Sequence, residues 1–283
     1  MRRSAALSPI AFARIKAGAG SKTALQFYTV RETVRKQRGS EGPMNVKHAK
    51  VNLKSRIKKL PHPGLWRALY DLSRELGALR RHRRAVRNAR KYTNAKALKL
   101  NVGCGDNLKT GWVNIDLWAN ADLQLDMREP IPLPNGSAQM IYSEHFFEHL
   151  NYPEDAKRFL SESFRVLEPG GTFSVGVPDA HWPLLEYAAN VGDGRYFTTE
   201  DNPWAPEWCK TRMEHINNLF RQGFEHRFAY DFETMEQALK ETGFVEIRQR
   251  EFASDLDSFA SDLDSKIREA ATLYVNAMKP LTK

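Results

Sequence analysis

Short hydrophobic runs alternate with helical patterns from about residue 97 to the end of the chain. The runs predict strands at residues 98–102, 112–115, 123–126, 140–143, 172–177, 245–251 and 272–277. Apolar residues spaced three and four apart predict helices at residues 154–167, 182–190 and 232–242. Because strands that alternate with helices are typical of a mainly parallel sheet, residues 97–283 are expected to form one α/β domain.

A separate amphipathic helix is predicted before this domain. Leu65, Leu69, Leu72, Leu76 and Leu79 recur at three- and four-residue steps, and arginines occupy the other faces. This apolar row either docks on the following domain or lies on a membrane surface. Residues 44–96 are therefore interpreted as a basic amphipathic helical arm. Residues 1–43 are interpreted as a disordered basic extension, similar to an organellar presequence, or as sequence before a true start at position 44.

Two further segments stand out in the domain. Residues 192–230 show no steady period and are rich in aromatic residues and histidines, so this insertion is expected to act as a lid over a site. The heptapeptide FASDLDS occurs at residues 252–258 and again at 259–265. A single tandem copy is no solenoid, and it is interpreted as a duplicated, solvated acidic loop.

Composition limits the classes of function. The chain has 283 residues, 41% of them hydrophobic, and its apolar runs are much shorter than the roughly 20 residues of a membrane-spanning helix. Its two cysteines cannot form a disulfide framework, so a cytoplasmic setting, peripheral to a membrane if the arm binds one, is expected. Residues 1–100 carry a net charge of +22, whereas residues 101–283 carry −13. This division favours an anionic partner for the arm, either nucleic acid or an acidic lipid surface, unless the arm packs on the acidic domain.

The most informative motif begins where the strand at 98–102 runs into Gly103-Cys104-Gly105. Glycine allows a tight turn and a close approach of backbone to a ligand. Asp116 ends the next predicted strand, where its carboxylate can accept hydrogen bonds from both hydroxyls of a ribose. Leu108 replaces the third glycine of a dinucleotide fingerprint, which counts against a pyrophosphate cofactor.

Later motifs follow in a fixed order: IPLPNGS at 131–137, MIYSEH at 140–145 and FRVLEPGGT at 164–172. With them the chain resembles the class I S-adenosylmethionine-dependent methyltransferases, and among these the type 11 group. The likeness covers residues 98–179 and resumes at 241–244 and 274–280. It implies a Rossmann-like α/β fold with a seven-stranded sheet, mostly parallel with the last strand antiparallel, and S-adenosylmethionine as cofactor.

The resemblance also implies roles for residues that match the family's motifs. The Gly103-Cys104-Gly105 loop would face the methionine part of the cofactor, and Asp116 would bind its ribose. Asp126 and Met127 would flank the adenine. Ser143 and Glu144 would lie beside the sulfonium and the substrate. Only ten residues separate Gly105 from Asp116, so the usual first crossover helix is expected to be very short or absent.

Methyl transfer to a hydroxyl or amine uses positioning and a general base. The candidate catalytic residues are His145, Asp179 and His226. Residues 145–149 match H-x-x-E-H, a spacing that on a helix binds zinc, and a zinc hydrolase is one alternative class. Because the resembled family commonly has a similar segment without metal, no metal site is expected.

The predicted function is methyl transfer to an unidentified small-molecule or surface-displayed acceptor with an oxygen or nitrogen nucleophile. The residues after the fourth predicted strand lack the Asn/Asp-Pro-Pro-aromatic signature, which disfavours methylation of nucleic-acid bases. The alternative is a catalytically silent adaptor on the same fold that acts through its basic arm on nucleic acid or membrane.

Overall fold

The structure is a computed structural model that describes residues 13–14, 26–27, 62–118, 120–189, 195–197, 205–254 and 264–281. The chain divides into two compact units, Met1–Arg83 and Arg84–Lys283. In the first unit two short strands, Ala13–Arg14 and Gln26–Phe27, pair antiparallel. Most of residues 1–43 and 44–61, and the centre of the heptapeptide repeat, lie outside the described residues.

The predicted amphipathic helix is present as α1, Pro63–Asn88. Proline suits its first position, because that residue has no intrahelical acceptor for an amide hydrogen. Leu65, Leu72 and Leu76 are exposed, whereas Ala85 belongs to the core cluster of the second unit. Within the described part of the chain, no helix combines the length and the apolar character needed to cross a membrane.

The second unit is built on a six-stranded sheet. Its strands are β1 (Leu98–Val102), β2 (Val113–Ile115), β3 (Ala138–Glu144), β4 (Leu167–Pro178), β5 (Val245–Arg250) and β6 (Thr272–Met278). Their order is β2-β1-β3-β4-β6-β5, and only β6 runs antiparallel to its neighbours. The fold is thus a mixed, mostly parallel α/β sheet of the Rossmann-like methyltransferase type, with the last strand antiparallel as predicted.

The prediction of seven strands was wrong by one. Residues 123–126 form no strand and contribute a single bridge between Leu123 and Ile115. Leu123, Leu125 and Met127 are buried in alternation, which explains the strand-like sequence pattern. The backbone amide of Asn114 on β2 donates to the Asp122 carboxylate (2.9 Å). A side chain thus occupies a backbone donor at the edge of β2 that a seventh strand would have paired with.

Four helices accompany the sheet: α2 (Glu154–Val166), α3 (His181–Ala189), α4 (Arg212–Arg221) and α5 (Phe232–Thr242). The predictions of α2, α3 and α5 were correct to within about a residue over the described positions. Buried residues of α2 and α5, among them Phe159, Leu160 and Leu239, join the core beside Phe173 and Val175 of β4. This core fixes the carboxyl ends of β1, β3 and β4, where the predicted site residues lie.

The second heptapeptide copy differs from its prediction. Asp264 is buried and pairs with Arg250, with Nη1 2.5 Å from Oδ2 and Nη2 2.8 Å from Oδ1. The Tyr142 hydroxyl and the Ala253 amide donate to the same carboxylate at 3.0 and 2.7 Å. The expectation of a solvated acidic loop was therefore wrong for this residue, because a buried arginine across the sheet pairs with it.

Candidate functional site

The glycine loop joins β1 to β2 without a helix, as the short spacing predicted. Gly103 and Gly105 both have positive φ, +69° and +49°, a conformation that side chains with a Cβ disfavour. A Cβ on Gly103 would lie 2.3 Å from Cβ of Phe146, whereas a Cβ on Gly105 would meet no atom within 4 Å. Gly103 is thus required by packing, and Gly105 borders open space.

Buried amide side chains hold this loop in place of a crossover helix. Asn101 Nδ2 donates to Asn114 Oδ1 and to the carbonyl of Asn107, each at 2.9 Å. The Lys109 amide donates to Asn114 Oδ1 at 2.8 Å, and Asn114 Nδ2 returns a bond to the Lys109 carbonyl. Since these polar groups are buried and paired with one another, they fix the shape of the loop.

Asp116 lies directly beside the loop at the end of β2. Its Oδ2 accepts from the Gly105 amide (3.1 Å) and its Oδ1 accepts from the Trp118 amide (2.7 Å). The amides of Gly103 and Cys104 donate to the Ile115 carbonyl, which ties the loop to β2 just before Asp116. The half-buried carboxylate is thereby oriented toward the glycine loop, as a ribose-binding role requires.

The neighbouring thiol is inert. Cys104 is 5% exposed, and burial together with Asp116 and Asp122 raises the pKa of its thiol to about 12. A thiol with so high a pKa is neither a nucleophile nor a ligand at neutral pH. Cys104 therefore contributes its backbone and its volume to the loop.

Asp126 and Met127 follow the segment that was predicted as a third strand. The Asp126 carboxylate pairs with Arg128, with Nη2 2.6 Å from Oδ2 and Nε 2.9 Å from Oδ1. Met127 is 4% exposed and belongs to the hydrophobic core. In this structure Met127 is thus a core residue, and Asp126 already has a cationic partner.

Ser143 and Glu144 end β3. The Ser143 hydroxyl is fully buried and has no hydrogen-bond partner among the described residues. The Glu144 carboxylate binds residues before and on β6. It accepts from the Ser265 amide and hydroxyl, at 2.9 and 2.6 Å, and from the Tyr274 hydroxyl at 3.0 Å. These contacts make Glu144 a tie between β3 and the chain before β6.

The two histidines predicted as catalytic converge on one carboxylate. His145 Nδ1 lies 3.6 Å and His226 Nε2 3.8 Å from Oε1 of Glu148, and His149 Nε2 lies 3.8 Å from the same atom. Burial lowers the pKa of both His145 and His226 below their usual range, which keeps them neutral. The sequence analysis named His145 and His226 as candidate bases and Glu148 only within the zinc-hydrolase alternative, whereas the structure places Glu148 at the centre of the cluster.

Asp179 occupies a different position, in the turn after β4. Its Oδ1 accepts from the His181 amide at 2.8 Å, so it acts as a cap at the start of α3. Burial raises the pKa of its carboxyl group. A pocket of about 390 Å³ lies beyond this turn, lined by His181, Leu184, Phe220 and Asp231 among others. The structure does not bring Asp179 into the Glu148 cluster.

The predicted lid at residues 192–230 is only partly described. Its described part contains α4, which the sequence reading missed, because one short helix gave no sustained period. Thr211 and Glu214 form a capping box at its start, a signal that the sequence does contain. The backbone amides of Arg227 and Phe228 donate to the Glu148 carbonyl, at 2.8 and 3.3 Å, and so attach this segment to the end of β3.

Comparison with known proteins gives one family match. Residues 100–175 match the family described as "Methyltransferase domain". No curated protein matches the sequence. Among solved structures, a methyltransferase from Archaeoglobus fulgidus is 17% identical with a TM-score of 0.41, covering 73% of this chain and 94% of that one. A methyltransferase from Methanosarcina mazei is 16% identical with a TM-score of 0.41, and the match covers 68% of this chain and 97% of that one.

A third similar structure is a complex of the Haloferax volcanii Trm112 activator with a methyltransferase, at 16% identity and a TM-score of 0.38, covering 75% of this chain and 95% of that one. Likeness at these TM-scores carries no argument by itself, so the assignment depends on the match to residues 100–175. That match spans the glycine loop, Asp116 and the end of β3. It confirms the resemblance, read from the sequence, to the class I methyltransferases of the type 11 group, whose cofactor is S-adenosylmethionine.

Proposed function

We propose that the protein is an enzyme that transfers a methyl group from S-adenosylmethionine to a small or surface-displayed acceptor through an oxygen or nitrogen atom. The observation that carries this proposal is the carboxylate of Asp116, fixed by the amide of Gly105 at the mouth of the glycine loop.

The residues of the loop fit the cofactor. The open space beside Gly105 leaves room for the amino-acid part of the ligand. A carboxylate at the end of β2, oriented by the Gly105 and Trp118 amides, is the kind of acceptor that the two hydroxyls of a ribose require. The bound cofactor would supply the methyl group on its sulfonium, and the chain's own residues would orient it toward the end of β3.

The preference for an oxygen or nitrogen acceptor rests on the buried histidines. His145 and His226 are held neutral by burial, and a neutral imidazole can accept a proton from a hydroxyl or an ammonium group. The described contacts of Asp179 support a structural role, so we no longer place it among the candidate bases.

The proposal is tested by calorimetric titration of S-adenosylhomocysteine into the wild-type chain and into Asp116→Ala. A hydrogen bond to a charged group contributes about 1.5–3 kcal/mol, so the variant should bind about 10- to 150-fold more weakly. Asp155→Ala, on α2, is the matched control and should bind as the wild type does. If the wild-type chain binds no S-adenosylhomocysteine, the proposal is wrong.

The silent adaptor remains a second proposal because of one observation. α1 presents exposed leucines on a helix that also carries seven arginines and only two acidic residues. If the arm binds nucleic acid, affinity should fall steeply as salt rises, and deletion of residues 44–83 should abolish it. Binding that does not change with salt, or that survives the deletion, would exclude this role.

A further inference from the structure

The Glu148 cluster has the composition of a metal site. Four groups that can act as ligands surround one point: the carboxylate of Glu148 and the imidazoles of His145, His149 and His226. One ligand atom from each of Glu148, His149 and His226 lies within 4.8 Å of the other two. Two elements supply them: residues 145–149 follow β3, and His226 follows α4.

The carboxylate at the centre has no hydrogen bond. The Glu148 side chain is 2% exposed, and neither of its oxygens has a partner among the described residues. The side chain of His226 is 6% exposed, and its Nε2 also lacks a hydrogen bond. A buried carboxylate without a cation or donors is strongly unfavourable, so this arrangement calls for a positive species between these atoms.

The outer hydrogen bonds show which ring nitrogens carry lone pairs. His149 Nδ1 faces the carbonyl of Glu225 at 3.1 Å, and His226 Nδ1 faces the carbonyl of Leu219 at 2.7 Å. Because a carbonyl only accepts, each Nδ1 must carry a hydrogen, which leaves Nε2 of each ring as the nitrogen that faces Glu148 and can bind an ion. Lone pairs that face a carboxylate repel it, whereas both bind a metal ion. A backbone carbonyl behind the ring is also the usual support of a metal-binding histidine.

We propose that Glu148, His149 and His226 bind one divalent transition-metal ion, with zinc the best match to two imidazoles and a carboxylate. Bonds of about 2.0–2.1 Å in a tetrahedral site separate neighbouring ligand atoms by about 3.3 Å. The two nitrogen–oxygen distances of 3.8 Å exceed this by about half an ångström, which small side-chain rotations supply.

His145 lies next to the proposed ligands but outside the set, and it is left as the candidate base because His226 would use its Nε2 lone pair to bind the ion. His145 Nδ1 lies 3.6 Å from the same Glu148 oxygen, and its Nε2 is 2.8 Å from the Thr272 hydroxyl. Harder ions such as magnesium prefer all-oxygen sites, so the imidazoles favour zinc or its transition-metal neighbours. The proposal differs in this from the sequence-based expectation of no metal at H-x-x-E-H.

The ligand set also differs from that of a helix-based zinc hydrolase. In such a motif both histidines bind from one helix and the glutamate acts as base. Here residue 145 has a positive φ of 53°, residues Phe147–His149 form a single 3-10 turn, and the glutamate itself lies among the ligands. The ion would instead join the end of β3 to the segment after α4. Phe146, between two of these residues, packs on Gly103 and places the site next to the glycine loop.

The test uses the full-length chain stripped of metal with a chelator and then titrated with Co²⁺, whose visible absorption reports tetrahedral coordination. Metal analysis of the untreated protein runs in parallel. We expect one equivalent of bound ion and the visible bands. Glu148→Gln and His226→Asn should each weaken binding by at least about 100-fold, since even outer partners of a ligand contribute 10- to 100-fold.

His215→Asn is the matched control, because His215 is buried in α4 but does not face Glu148, and it should bind Co²⁺ as the wild type does. If a buried variant fails to fold, His149→Asn, at a half-buried position, replaces it with the same expected loss. Absence of both bound metal and cobalt bands in the wild type, or unchanged affinity in the variants, would overturn the proposal. Titration of the metal-free chain with S-adenosylhomocysteine tests cofactor binding separately.

Discussion

The buried pair of Arg250 and Asp264 offers the sharpest test of how the sheet is stabilised. Both side chains are completely buried. Beyond Asp264, the guanidinium donates to Asn276 Oδ1 and Ser174 Oγ, and it lies 4.6 Å from the ring centroid of Tyr274. Asp264→Ala removes the only carboxylate that the described contacts give this arginine, and so leaves an uncompensated charge in the core.

The magnitude follows from the burial. Removal of one partner of a buried ion pair costs about 3–5 kcal/mol, a large part of the 5–15 kcal/mol that stabilises a typical domain. For a unit of this size the melting temperature should fall by about 6–20 °C. Glu241→Ala is the control, because its pair with Lys157 is exposed on both sides and screened by solvent, so its loss should change stability little.

Urea denaturation followed by circular dichroism measures both variants. A loss below about 1 kcal/mol for Asp264→Ala would refute the reasoning, since it would mean that water or another group compensates Arg250.

An acid titration adds a second readout. Burial raises the pKa of Asp264, but the Arg250 hydrogen bonds outweigh this and leave the pKa below its ordinary value. The stabilisation is therefore present above the unfolded pKa and is lost as pH falls through the lower folded one, and in Asp264→Asn this acid-dependent part should be absent.

Three further outcomes are expected. Gly103→Ala combines a positive φ with a Cβ 2.3 Å from Phe146 and should lower the free energy of unfolding by about 2–5 kcal/mol. Gly105→Ala, where a Cβ meets open space, should lower it by about 1–2 kcal/mol in the same urea assay. Equal losses would contradict the packing argument. Cys104, with a pKa of about 12, should resist iodoacetamide at pH 8 in the native chain and react after unfolding in urea; fast native labelling would show that the loop opens. Arg165→Ala removes hydrogen bonds to the carbonyls of Ile131 and Leu133 and should lower the free energy of unfolding by about 1–3 kcal/mol. The urea midpoint measures this loss. An unchanged midpoint would mean that water replaces the guanidinium.

Much of the fold was predictable because buried strands leave a clear pattern. β1 was predicted to the residue, and β2, β3, β5 and β6 to within two residues, since their central positions are almost all apolar or their turns are marked by glycine. The segment at 123–126 has the same alternation but no strand, because its side chains are buried while its backbone is barely paired. Burial pattern alone does not reveal backbone pairing.

The candidate site was predictable in part. The position of Asp116 followed from strand ends that meet at one edge of a parallel sheet. The partners of Glu144 and Glu148 did not, because they come from residues about 80 to 130 positions away, which sequence spacing does not relate. The same holds for Asp264, whose heptapeptide reads as acidic and exposed until the position of Arg250 is known.

The tie between the Ala253 amide and Asp264 has a consequence for the length of this part of the chain. It brings Ala253 and Asp264, which flank this part of the chain, within hydrogen-bonding distance of each other, and Ser265 bonds to Glu144 at the end of β3. Doubling the length of a closed loop costs only about 0.6 kcal/mol, so copies of the heptapeptide can be gained at little energetic cost once the ends are held. Slippage during replication produces such copies readily, and the second FASDLDS would be the trace of one event that folding tolerated. An insertion between these held ends is therefore expected to cost the second unit little stability.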